Sequence, residues 1–204
     1  MIAAAAGDGA ARRPQRKSER TRRRILSSAK QLFDRRGYRD TTIDDITRRA
    51  EIAHGTFYLY FRGKGELLKE LLEQTFLEFD RLASRPPMST DAISELVRES
   101  LLTYQRNRLL MRLLREASAS DPYFRSHYDE VFTAELIGHL EESISRIQDV
   151  NGPGQKLDAR AAARAITGMI ESFAYGMFIG NEPYDIEVAV HTLSLFCSRA
   201  IGLA

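Results

Sequence analysis

The fold of this 204-residue chain is decided by residues 41–61, which read TTIDDITRRAEIAHGTFYLYF. Thr42, followed three residues later by Asp45, matches a helix-capping box and opens a short helix with apolar residues at helical spacing. A break at residues 51–53 leads into a second short helix, predicted from His54 to Tyr60. Two short helices joined by a tight turn are the pattern of a helix-turn-helix unit.

Helical periodicity continues on both sides of this unit. A helix from Glu19 to Arg36, closed by Gly37, is predicted before it, and a helix from Lys64 to Leu82 after it. Beyond a break at Pro86 and Pro87, helices are predicted over residues 91–117 in two pieces, 121–150, 158–179 and 185–201. The sequence therefore predicts an all-α fold, with a three-helix head and a C-terminal helical bundle.

Charge is distributed unevenly along the chain. Residues 1–64 carry 16 Lys and Arg against 7 Asp and Glu, a net charge of +9, while residues 65–204 carry 14 against 21, a net charge of −7. A basic segment of this kind is typical of a protein that binds a polyanion such as DNA. A solvated basic tail would also explain it, because half of the 16 cations lie within residues 12–24.

Composition excludes several classes of protein. No apolar run approaches the roughly 18 residues of a membrane span, and the N-terminus lacks the pattern of a signal peptide, so we expect a cytoplasmic protein. The single cysteine, Cys197, excludes an internal disulfide. The sequence shows no nucleophile paired with a base, no close pair among its four histidines and no glycine-rich phosphate loop. We therefore expect no catalytic residue, metal or cofactor.

The helix-turn-helix supplies candidate DNA contacts. Its second helix would enter the major groove, and the arginines before the first helix would follow the DNA backbone or enter the minor groove. A glycine there admits close approach of the backbone, hydroxyls reach phosphates or base edges, a histidine can read guanine, and a lysine at a helix start suits a phosphate. The candidates are Thr42, His54, Gly55, Thr56, Tyr58, Tyr60 and Lys64.

These residues resemble the signature of the TetR family of regulators. The similarity rests on residues 41–46 (TTIDDI), residues 55–61 (GTFYLYF), Lys64 and Leu67, and it extends over about residues 18–76. The family more often has Gly where this chain has Glu51, and Ser where it has Ala53.

The resemblance implies a homodimer that binds a palindromic operator in double-stranded DNA and is released by a small-molecule effector. It divides the chain into a disordered basic tail (residues 1–17), a DNA-binding domain (18–78) and a domain for ligand binding and dimerisation (79–204). In the family the last two helices of each subunit form the dimer interface. Small residues in the last two predicted helices, such as Gly168 and Gly176, and apolar ones such as Leu193 and Phe196, suit that role.

A ligand pocket, if present, would be mostly apolar. Its candidate lining residues are Tyr104, Met111, Tyr128, Phe132, Met169 and Phe173, and its candidate polar groups are Tyr104, Gln105, Asn107 and Glu171. The same aromatic and methionine side chains also suit an ordinary helical core. Two other functions remain open from the sequence: a helical protein-interaction module, and a DNA-binding protein that responds to no ligand.

Overall fold

The computed structural model describes residues 9–85, 89–127, 134–150 and 157–203. All regular structure in these ranges is α-helical, which confirms the predicted all-α fold. The helices are α1 (Gly9–Arg36), α2 (Ile43–Arg49), α3 (His54–Phe57), α4 (Lys64–Ala83), α5 (Thr90–Arg106), α6 (Arg108–Ser120), α7 (Pro122–His127), α8 (Ala134–Val150), α9 (Ala159–Phe178) and α10 (Ile186–Ile201).

Packing divides the chain into two units within α4. Unit 1 ends at Leu71 and unit 2 begins at Leu72, on the same helix as the predicted domain boundary between residues 78 and 79. Thus α4 contributes its first turns to unit 1 and its remaining turns to unit 2. None of the described helices is long and apolar enough to cross a membrane.

Unit 1 packs α1, α2, α3 and the start of α4 around a small apolar core. Its fully buried large side chains are Ile25, Phe33, Ile46, Phe57, Phe61, Leu67 and Leu68. The rings of Phe57 and Phe61 lie 5.8 Å apart, so α3 is anchored by aromatic packing despite its length of four residues. Burial of such side chains supplies about 1.5–3 kcal/mol each, which is what holds so short a helix in place.

Helix α1 begins earlier than the sequence predicts. It starts at Gly9 instead of Glu19, so the predicted disordered tail over residues 1–17 is wrong for residues 9–17, while residues 1–8 lie outside the described ranges. Alanine, arginine, glutamine and lysine, which dominate this segment, are all good helix formers. At its other end α1 closes as predicted, because Gly37 has a φ of 79° and donates its N–H to the carbonyl oxygen of Phe33.

Unit 2 is built from longer helices. Helix α8 packs on α9, α10 packs on α5, and α5 also contacts α9 around the buried Leu101, Leu113, Ile147 and Leu193. The segment predicted as two helices is interrupted at Asn107, where the backbone leaves helical geometry between α5 and α6. A polar pair reinforces this packing, since the Arg98 guanidinium on α5 binds the Glu187 carboxylate on α10 through both of its oxygens.

Candidate nucleic-acid interface and apolar cavity

Thr42 caps the first helix of the helix-turn-helix as predicted. Its Oγ1 accepts a hydrogen bond from Asp45 N (3.1 Å), while Asp45 Oδ2 accepts from Thr42 N (3.2 Å) and Thr42 Oγ1 (2.7 Å). The hydrogen bonds from the Thr42 hydroxyl and N–H lower the pKa of the Asp45 carboxyl. Because its hydroxyl already donates to Asp45, Thr42 reaches a phosphate only by exchanging that partner.

Glu51 occupies the turn between α2 and α3 in a left-handed conformation. Its φ is 50°, a region that glycine adopts without steric cost and glutamate does not. The exposed Glu51 carboxylate pairs with Arg24 at 3.0 Å, and the same guanidinium donates to the carbonyl oxygen of Ala50. Arg24 on α1 therefore holds the turn in place.

Helix α3 is shorter than predicted, and the predicted DNA contacts on it and after it differ in their exposure to solvent. It ends at Phe57 instead of Tyr60, because the N–H groups of Leu59 and Tyr60 bond three residues back and form turns. As expected from Ala53, no side chain caps its start. His54, Gly55 and Tyr58 are exposed, whereas Thr56 and Tyr60 are half-buried.

His54 and Tyr58 form an ordered part of this surface. His54 Nδ1 lies 2.6 Å from Asp44 Oδ1, and the His54 and Tyr58 rings are 5.4 Å apart. Tyr58 also packs edge-on against the buried Phe57, at 5.5 Å between ring centroids. These contacts restrict both rings before any partner is bound, which lowers the entropic cost of using them in recognition.

Gly55 and Leu59 complete the exposed face. A Cβ atom at Gly55 would meet no other atom within 4 Å, so the backbone there is open to a partner. Leu59 is 80% exposed, the largest value among the exposed large apolar side chains described. Leu59 is not among the DNA contacts predicted from the sequence, although an exposed apolar group in this place suits the methyl group of thymine.

Lys64 does not point freely toward a partner. Its Nζ donates to the carbonyl oxygens of Tyr38 (2.9 Å), Arg39 (3.3 Å) and Thr41 (2.6 Å), and lies 4.7 Å from the centre of the Tyr38 ring. An ammonium group has three donors, and these carbonyls can accept all of them. This geometry differs from the phosphate contact predicted for Lys64: the side chain ties the start of α4 to the segment before α2.

Four arginines of α1 divide into two groups. Arg22 binds both oxygens of Glu70 on α4 and stacks over the Phe61 ring at 4.9 Å, so with Arg24 it braces unit 1. Arg16 and Arg20 are exposed, and neither forms an ion pair with any residue that the structure describes. The positive charges of Arg16 and Arg20 are therefore available to an external polyanion.

Unit 2 contains an apolar cavity. The cavity and its open mouth hold about 790 Å³ of space free of protein atoms, so the enclosed part is smaller. Its walls come from five helices, with lining residues Phe76, Phe79, Leu82 and Ala83 on α4, Leu96, Ser100 and Tyr104 on α5, Met111 and Leu114 on α6, Leu136 and Leu140 on α8, and Ile166, Thr167, Ile170 and Glu171 on α9. A mostly apolar lining with a few polar groups is typical of sites that bind small molecules.

The predicted lining residues are only partly among these. Tyr104, Met111 and the polar candidate Glu171 line the cavity, whereas Met169 and Phe173 do not. Phe173 instead packs against Tyr184, at 5.0 Å between ring centroids. Each helical residue turns by about 100°, so α9 presents a different face to the cavity.

The remaining candidates lie elsewhere. Gln105 is exposed, and Asn107 Nδ2 donates to the carbonyl oxygen of Thr103 between α5 and α6. Tyr128 and Phe132 fall outside the described ranges. Cys197 is buried, and burial raises its pKa to about 11, so the thiol is a poor nucleophile. Within the described part of the chain, no group of three or more His, Cys, Asp or Glu is suited to a metal.

The helix-turn-helix of unit 1 matches a known family of proteins. Residues 25–71, which include α2, the turn and α3, match the model of bacterial regulatory proteins of the tetR family. Residues 25–71 of this chain therefore form a helix-turn-helix of the tetR-family type, and α3 is its second helix. The chain is a DNA-binding transcriptional regulator.

Individual relatives agree with this assignment. The chain is 25% identical over 186 residues to the uncharacterized HTH-type transcriptional regulator YvdT of Bacillus subtilis, covering 89% of this chain and 95% of YvdT. It is 30% identical over 112 residues to the HTH-type transcriptional regulator AcrR of Shigella flexneri, covering 51% of this chain and 52% of AcrR.

A solved structure shares the fold across both units. The regulator FadR from Bacillus subtilis, in complex with stearoyl-CoA, superposes with a TM-score of 0.70 and 17% identity, covering 87% of this chain and 98% of FadR. The family match lies within unit 1, whereas the alignment with YvdT and the superposition with FadR extend into unit 2.

Proposed function

We propose that this protein is a TetR-family repressor that binds a palindromic operator as a homodimer and leaves it when a mostly apolar ligand enters the unit 2 cavity. The observation that carries the DNA-binding part is the exposed surface of α3 and of the turn after it, here called the α3 face, which is formed by His54, Gly55, Tyr58 and Leu59. As a regulator of transcription, it would act in the cytoplasm, where bacterial DNA lies.

The α3 face can be tested without knowing the operator. Duplexes selected from a randomised pool by the full chain are expected to be palindromic, with half-sites about 34–36 Å apart. Tyr58→Ala should weaken binding to the selected duplex at least tenfold, while thermal unfolding shows that the chain remains folded. Leu77→Ala is the matched control, since Leu77 is 48% exposed and Tyr58 51%. Equal effects of the two changes would remove α3 from the interface.

The free cations of α1 are proposed to contact phosphates. Arg20→Gln should lower the slope of log affinity against log salt by about 1.8, the value for two phosphate contacts, because each subunit of the dimer carries one Arg20. An unchanged slope would show that the exposed arginines of α1 are solvated only. If the chain selected no duplex at all, the alternative of a helical protein-interaction module would be favoured.

An exposed apolar face on α10 supports dimerisation. Val188 is 56% exposed, Leu195 40% and Phe196 62%, and on α9 the small residues Ala165 and Gly168 are also exposed. Two copies could bury these faces as a four-helix bundle. Phe196→Lys should produce monomers in sedimentation analysis, whereas Val150→Lys, at a somewhat more exposed site (71%) on α8, should not.

Helix α4 offers a route from ligand to DNA. Phe76, Phe79 and Leu82 line the cavity, and Lys64 at the start of the same helix binds the carbonyls of the segment before α2. Movement of α4 would therefore reach the helix-turn-helix through Lys64, which acts here as a positioning residue. Ligand and operator should then compete in a binding titration. A ligand that left operator affinity unchanged would favour a regulator that responds to no effector.

A further inference from the structure

The cavity of unit 2 has four polar residues in its lining, and the hydroxyl groups of two of them donate hydrogen bonds to the backbone. Ser100 Oγ donates to the carbonyl oxygen of Leu96 (2.8 Å), and Thr167 Oγ1 donates to that of Ala163 (2.9 Å). Tyr104 is buried and stacks on Phe178, at 6.5 Å between ring centroids. Glu171 is the lining residue that carries a charge.

Glu171 lies where the cavity meets solvent. It is an exposed residue, yet protein atoms around the carboxyl still exclude enough water to raise its pKa. Arg115 and Arg164 oppose this rise, but no ion pair joins either to Glu171 among the residues that the structure describes. The Arg115 guanidinium instead lies 4.0 Å from the centre of the Tyr175 ring. The carboxylate therefore has two distant cations and no close one.

We propose that Glu171 binds the cationic end of the effector, so that the cavity selects an amphiphile with one basic nitrogen on an apolar body. This inference rests on the proposed role of the cavity as the effector site. The apolar walls would take the body of the ligand, and an ammonium at the mouth would supply the close positive partner that Glu171 lacks. A charge-assisted hydrogen bond of this kind is stronger than a neutral one.

A preference for a basic ligand would distinguish this protein from the solved structure of FadR in complex with stearoyl-CoA. A ligand whose polar end is anionic would place like charges together at Glu171, which costs affinity. An alkyl chain of the same length should therefore bind in the order amine, alcohol, carboxylate.

Three ten-carbon probes test this order by calorimetric titration of the full chain. Decylamine should bind at least tenfold more tightly than 1-decanol, and decanoate more weakly than both. Glu171→Gln should reduce decylamine binding to the level of 1-decanol and change 1-decanol binding less than twofold. Glu73→Gln, at an exposed α4 position outside the cavity lining, is the matched control and should leave all three affinities unchanged.

The outcomes separate the two proposals. Binding of 1-decanol without preference for decylamine, or an amine preference that survives Glu171→Gln, would overturn the role of Glu171 and leave the cavity as an effector site. Tightest binding of decanoate would do the same. Failure of all three probes to bind would overturn the effector role of the cavity, and this inference with it.

Discussion

The helices that form the helix-turn-helix in unit 1 have seven residues in α2 and four in α3, whereas α5, α8, α9 and α10 in unit 2 have between 16 and 20. Helices below about 12–15 residues are not stable alone, so the short ones depend on fixed side-chain contacts. In unit 1 these are the Thr42 cap, the Arg24 contact with the turn and the Lys64 contact with three carbonyls.

This difference affects how strictly each unit constrains its own sequence. A contact between a named side chain and a backbone carbonyl tolerates few substitutions, while a long amphipathic helix tolerates many apolar residues of similar volume. The residues that the family model matches, 25–71, include the Thr42 cap, the turn and Lys64. Unit 1 is specified by individual contacts, and unit 2 mainly by apolar pattern.

The largest expected effect tests what the two units share, which is a buried core. Phe57→Ala should lower the free energy of unfolding by about 3–5 kcal/mol, and Leu113→Ala in unit 2 by about 2–5 kcal/mol, since both side chains are 0% exposed. Leu59→Ala, at 80% exposure, should stay within about 0.5 kcal/mol in the same urea titration. A Phe57→Ala effect as small as that of Leu59→Ala would contradict the packing of α3.

A smaller effect tests the polar contacts peculiar to unit 1. Lys64→Gln removes a cation from three carbonyl oxygens and should cost about 1.5–3 kcal/mol of unfolding free energy. The exposed Lys30, changed to Gln, should have almost no effect. If Lys64→Gln left stability intact but lowered the salt slope of DNA binding, Lys64 would be a phosphate contact and the contrast between the units would weaken.

The left-handed turn gives a third, weaker test. Glu51→Gly and Glu51→Ala both remove the carboxylate that pairs with Arg24, but only alanine keeps a Cβ atom at a φ of 50°. The glycine variant should therefore be about 1 kcal/mol more stable than the alanine variant in thermal unfolding. At Arg48, in the regular helix α2, the order should reverse, with alanine more stable than glycine.

The smallest expected effect concerns the contribution of Asp45 to stability at low pH. The pKa of Asp45 is lower in the folded chain than its ordinary value of 3.8, so its contribution to stability is complete above that value and is lost as pH falls through the folded pKa. The stability difference between the native chain and Asp45→Asn should be constant above about pH 5 and shrink below about pH 4. A difference that grew on acidification would contradict the capping contact, and Asp34→Asn, at an exposed site, is the control.

Local patterns in the sequence predicted the parts of unit 1 that depend on neighbouring residues. The Thr42–Asp45 box and the Gly37 helix end are confirmed, because each is made within a few residues. The engagement of Lys64 by carbonyls more than 20 residues away could not be read from spacing. Nor could the end of α3 at Phe57, which depends on how the following aromatic residues pack.

In unit 2 the helices were predictable and the cavity-facing residues were not. Helix α9 carries apolar or small residues around most of its circumference, so periodicity does not tell Met169 from Ile170. Only the packed structure shows that Ile166 and Ile170 line the cavity in place of Met169 and Phe173.

The continuity of α4 across the boundary between the units limits how the protein can be divided. A fragment ending at Leu71 would keep only the first eight residues of α4, Lys64 to Leu71, a length that is not stable alone and would depend on the burial of Leu67 and Leu68. A fragment ending at Ala83 would keep the helix whole but would expose Leu72, Leu82 and Ala83, which are buried in the intact chain. Autonomous folding of the DNA-binding unit is therefore expected to require the full α4 with polar replacements at those positions.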